Sequence, residues 1–117
     1  MHHDKGKFRR ILLIELEDLA LDLRDSVKMY ADGNVRGEVS NYVMRENTAL
    51  LENEIAGLEQ VCQIVRDAEV CEDEPLDALT ARLRTACRTA IEQSHFPDAL
   101  IGMVERKLNK VEKYIRE

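Results

Sequence analysis

A chain of 117 residues, 44% hydrophobic and 34% charged, is long enough for one domain with a modest core that needs neither disulfides nor a structural metal. No apolar run approaches the roughly 18 residues of a membrane-spanning helix, and five Gly and two Pro with a regular hydrophobic period exclude a collagen-like or disordered chain. The net charge of −6 argues against nucleic-acid binding, because phosphate contacts need a surplus of Lys and Arg.

The chain opens Met1-His2-His3-Asp4-Lys5-Gly6-Lys7. A basic start of this kind resembles a signal peptide, but the apolar run Ile11–Ile14 stops at Glu15, short of the roughly 7–15 residues an exported leader needs. The expected location is therefore the cytoplasm. Residues 1–4 are expected to form a flexible tail. A free amine followed by His3 can hold Cu(II) or Ni(II) in a square plane; the reading adopted is a tail without that role, and no cofactor is expected.

Helical periodicity then dominates. The first helix is expected over about Lys5 to Ala31, with Phe8, Leu12, Leu16, Leu19, Leu23, Val27 and Tyr30 in one stripe. Gly33 and Asn34 supply its stop. The second is expected over about Glu38 to Ala68. Its residues Met44, Thr48, Leu51, Ile55, Leu58, Cys62 and Val65 alternate steps of four and three, the spacing of a bundle seam. Glu72-Asp73-Glu74-Pro75 breaks the chain, and Asp73 is the expected N-cap of the third helix. That helix carries Leu76, Leu79, Leu83, Ala86, Cys87 and Ala90 and should end near Ser94, since Phe96 precedes Pro97. The fourth begins at Pro97-Asp98 and shows Leu100, Val104, Leu108, Val111 and Ile115.

Short connections make neighbours antiparallel, so the expected fold is all-α, a single up-down-up-down four-helix bundle over residues 1–117. The alternative is a looser arrangement in which the first two helices form a long, dimerising hairpin. Leu16, Leu23, Leu51, Leu58, Leu83, Val104 and Leu108 should be the most buried. The first hairpin should overhang by about 10–15 Å, at 1.5 Å per residue. Helix 2 could avoid this by kinking near Gly57, or the tip could fold over.

Charge divides along the chain. Residues 1–74 carry 17 acidic and 9 basic side chains, and residues 75–117 carry 6 and 8. An acidic hairpin packed beside a mildly basic one is the simpler reading. The sharper one is a patch of Arg84, Arg88, Arg106, Lys107, Lys110 and Lys113 that meets an acidic partner.

Little in the chain carries chemistry. Cys62, Cys71 and Cys87 lack the spacing of a disulfide framework or zinc site and read as small hydrophobes in a reducing compartment. Of three histidines, two lie in the tail. Glu92-x-x-His95 matches one half of a di-iron motif that must occur on two helices. Asn47 and Glu54 are less ordinary, because both interrupt the apolar face of helix 2 within about 40° of its Leu51–Leu58–Val65 line. They read as a register-setting polar pair, bonded to Tyr or Arg or sitting at a boundary; the alternative is a small-ligand or metal site inside the bundle.

Helix 1 is apolar on both sides. Ile11, Ile14, Leu21 and Met29 project about 140–160° from the core stripe, with Asp18 and Asp25 among them. The overhanging tip adds Tyr30, Tyr42 and Met44. A twofold dimer would cover either surface. The functional expectation is a non-catalytic protein–protein interaction module, an adaptor, assembly or regulatory factor. It is expected to be homodimeric, with a protein partner as the alternative occupant and neither nucleic acid nor membrane as a target.

Overall fold

In the computed structural model, which describes residues 4–117, the chain forms four helices: α1 Lys5–Val35, α2 Asn41–Asp67, α3 Leu76–Gln93 and α4 Ala99–Arg116. The copper-type reading of Met1-His2-His3 lies outside the described residues. Asp4 was expected in the tail; instead its carboxylate accepts the Lys7 N–H at 2.8 Å and caps α1.

The helix ends correct the sequence expectations where a neighbour outweighs a local signal. Gly33 does not stop α1. It stays helical and buried, because Val39 folds back onto it; a Cβ there would sit 2.9 Å from the Val39 side chain. The left-handed turn falls instead at Gly37, with φ +76°. Ser40, whose hydroxyl accepts the Val43 N–H, starts α2 three residues later than Glu38. The N-cap of α3 is extended Pro75 rather than Asp73. At the other end of α3 the Pro97 signal holds. The helix stops at Gln93, His95 takes φ +56°, and the His95 and Phe96 N–H groups donate to the Glu92 and Ile91 carbonyls. This is a Schellman closure with histidine where glycine is usual.

Side-chain contacts give the helix directions. Arg24 meets Glu59 and Glu17 meets Arg66, so α1 and α2 run antiparallel. Arg88 meets Glu105 and Asp77 meets Arg116, so α3 and α4 do too. Glu15 bonds Lys107 at 3.2 Å and Lys110 at 2.8 Å, while Lys7 lies over the Tyr114 ring, so α1 and α4 also oppose. These are three of the pairings an up-down-up-down order requires. The Glu15 bridges pair an acid of the first hairpin with two bases of the second, in line with the simpler of the two charge readings.

The core joins Phe8, Leu12, Leu16 and Ala20 of α1, Leu58, Val61, Cys62 and Val65 of α2, and the apolar stripes of α3 and α4. Gly57 marks its upper limit. The α3–α4 turn presses on α2 there so closely that a Cβ would lie 2.3 Å from Leu100 and 3.1 Å from Phe96. α2 therefore needs no kink at Gly57 to admit the turn, and its helix is continuous. Beyond this level α1 and α2 continue alone. From Ala20 to Val35 the projection is about 20 Å at 1.5 Å per residue, longer than expected, and the molecule measures 57 × 29 × 19 Å. Leu16, Leu58, Leu83, Val104 and Leu108 are buried as expected, but Leu23 and Leu51 are only half-buried, because α3 and α4 stop short of them.

At the opposite end, cations close the α2–α3 connection. Lys5 donates to the carbonyls of Cys71, Glu72 and Glu74, Arg9 to those of Arg66 and Ala68, and Arg82 to that of Glu69. Arg82 also grips the Glu74 carboxylate, which holds that acid below its ordinary range. Carbonyls at a helix C-terminus carry partial negative charge, so positive side chains suit them.

Candidate interaction surface

The face of α2 that α3 and α4 cover lower down does not end where they do. At 100° per residue, Val43, Asn47, Leu50 and Glu54 lie within about 40° of Val61, on one line along the helix. Val61 is fully buried, whereas Val43 and Leu50 keep 42% and 49% of their surface in water. On α1 the same continuation passes through Leu23, Val27 and Tyr30, all half-buried. Among the described residues, the tip, residues 21–53, holds six of the eight large apolar side chains left exposed: Leu21, Met29, Val35, Tyr42, Val43 and Leu50. No apolar side chain in this stretch is buried. Beside it an open groove of about 380 Å³ runs between Met29, Tyr30, Gly33 and Val39, with Arg36 and Glu38 at its edge.

The expected surface residues separate. Ile11 does not belong to an exposed back face: it is half-buried and packs against the core. Ile14 and Leu21 are exposed, but exposed Asp18 and Asp25 share their side of α1. Met29 and Tyr42 are exposed at the tip, and Tyr30 and Met44 are half-buried there. The spacing of Val43 and Leu50 with Val61 was the sequence signal for the bare stripe.

The two polar residues of α2 have different surroundings. Asn47 donates to the carbonyl of Val43, one turn back on its own helix. Glu54 is only 5% exposed, and among the described residues no side chain bonds its carboxylate. Burial pushes its pKa up, with no cation to oppose it. Neither residue lines any of the grooves described. Nearby, the buried Thr48 hydroxyl also lacks a partner among the described residues.

Other chemistry is sparse. Between α1 and α2 a groove of about 420 Å³ has Cys62 at its floor, flanked by the Glu17–Arg66 and Arg24–Glu59 pairs, so its charges are already matched. Burial raises the Cys62 thiol and pushes that of Cys87 up to about 12, which leaves both poor nucleophiles. Glu92 is engaged by Arg88, one turn away on α3. Among the described residues no group of three or more His, Cys, Asp or Glu side chains is placed to hold a metal, and no helix is long and apolar enough to cross a membrane. Comparison with protein-family models, with curated proteins and with solved structures finds no match to this chain.

Proposed function

We propose that the chain is a non-catalytic helical interaction module, an adaptor, assembly or regulatory factor, that engages protein through the tip of its α1–α2 hairpin. The observation that supports this is the stripe of α2 that is covered at Leu58 and Val61 and bare at Val43 and Leu50. A helix face that carries apolar side chains into water is normally covered by something. Three free cysteines, two of them buried, suit a reducing compartment, and the reading places the module in the cytoplasm. A ligand site at Asn47 and Glu54 has less behind it. The two lie about 10 Å apart along the helix, and one is already bonded to its own backbone.

The test is quantitative co-purification with two baits, the wild type and Val43→Glu/Leu50→Glu. The reading expects at least one protein, untagged copies of the chain included, to be recovered with the wild type and depleted about tenfold, the equivalent of about 1.4 kcal/mol, with the variant. Equal recovery on both baits would overturn it.

A further inference from the structure

The bare face asks what covers it. We propose that the occupant is a second copy of this chain, its tip laid antiparallel across a twofold axis, so that two hairpins complete a four-helix bundle. This rests on the interaction reading above and names its partner.

Length is the first support. At the base, α3 and α4 bring a two-helix apolar face of 18 residues each onto the α1–α2 hairpin. The tip offers a two-helix face of its own, about 20 Å long and about 20 Å wide for helices packed 8–10 Å apart. A second tip is the element in hand that matches it in length, width and apolar character. As flat rectangles the two faces cover about 800 Å², close to the roughly 1,000 Å² of a specific interface.

The polar residues of the stripe fit a twofold. α2 starts at Asn41, and the bare stripe ends at Glu54, so Asn47 stands at its midpoint. A perpendicular twofold through that level brings Asn47 against its own copy. Its side chain spends one N–H on Val43 and keeps a second N–H and its carbonyl for the partner amide. A polar pair of this kind within an apolar seam fixes register. The same axis carries Glu54, at the base of the stripe, to the distal end of the partner's tip, where the partner's Arg36, paired within its own chain to Glu38 at 3.2 Å, borders the groove. The carboxylate thereby meets a cation that it shares with that acid.

Charge permits this arrangement. Residues 21–53 carry six acidic and four basic side chains, net −2 of the chain's −6. Antiparallel tips put most of the remaining negative charge at opposite ends of the dimer, beyond the screening length of about 8 Å at physiological salt.

The decisive measurement uses the purified full chain alone. Light scattering at about 50 μM, well above the dissociation constant of a micromolar dimer, is expected to give twice the 13.5 kDa chain mass. Val43→Glu/Leu50→Glu should return the single-chain mass with an unchanged helical circular dichroism spectrum. A second arm needs no destabilising substitution. In a Cys71→Ser background, mild oxidation should cross-link Asn47→Cys into a covalent dimer and leave Ile14→Cys, on the back of α1, uncross-linked. A wild type of single-chain mass would overturn the second copy, while the co-purification test still decides the interaction reading. Cross-linking through Ile14→Cys instead, or a dimer that survives Val43→Glu/Leu50→Glu, would equally overturn the tip as the contact.

Discussion

Glu54 is almost wholly buried and, within one chain, no side chain bonds its carboxylate. Its folded pKa is raised by burial, so the folded state holds the proton to a higher pH than the unfolded chain does. Stability therefore falls as pH rises from the unfolded carboxyl range through the folded value, and the loss is complete above it. Glu54→Gln should stabilise the protein by about 1 kcal/mol at pH 7, near the lower end of the cost of a stranded buried polar group. The gain should vanish below about pH 4, where both states are protonated. Thermal melts at protein concentrations too low for self-association would show it free of any second copy; a lower melting temperature at pH 7 would mean that the carboxylate has a partner. Spacing alone placed Glu54 on the apolar face, but spacing gives direction and not what stands opposite, so the expected bond to Tyr or Arg did not follow. The thiols were more legible, since each sits on the face its position implies. Cys71 is exposed while Cys62 and Cys87 are buried. A thiol reagent at pH 7.5 should modify one equivalent at once and the other two about 100-fold more slowly, through opening of the core. Two fast equivalents would contradict the burial of that pair.

Among the elements, sequence signals succeeded where the backbone chemistry was rigid and failed where packing competed. Pro97 restricts Phe96, and α3 ends as that restriction requires. Gly33 merely permits a stop; Val39 needs the space beside it, and α1 runs on to Val35. Asp73 is a fit N-cap residue, yet the chain stays non-helical until Pro75 because Glu74 is held by Arg82 and Lys5. The three cations that close this connection could not be read from the sequence, because they come from Lys5, Arg9 and Arg82, far apart along the chain. His95 offers the cleanest test of an element end. A non-glycine residue at φ +56° costs roughly 1 kcal/mol through its Cβ, partly offset by the entropy that glycine loses on folding. His95 is also exposed, so its removal strips no packing. His95→Gly should raise stability by up to about 0.5 kcal/mol, measured by urea denaturation at neutral pH. A loss of that size would show that the imidazole makes a contact worth more than the strain.

At the scale of the molecule, unequal helix lengths in the sequence already implied a protruding hairpin. The overhang came out longer than expected because α1 gained residues past Ala31 while α3 and α4 came out at 18 residues each. The consequence is a molecule of two parts with different stabilities. Every buried apolar side chain lies outside residues 21–53, so the base carries the hydrophobic stabilisation and the tip carries little of its own. Two helices of about 13–15 residues are marginal in water unless a packed face supports them. In the monomeric Val43→Glu/Leu50→Glu variant, amide hydrogen exchange should therefore divide the chain. Amides near Val27 and Leu51 should exchange through local opening, about 100-fold or more faster than those near Leu12, Leu83 and Leu108, which wait for global unfolding. In the wild type the same tip amides should gain protection as protein concentration rises, since a second copy stabilises only the state it binds. Base amides should respond less, because their own core already limits opening. Protection that is uniform along the variant would show that the hairpin is stable without a cover. Tip protection in the wild type that ignores concentration would separate the bare stripe from self-association.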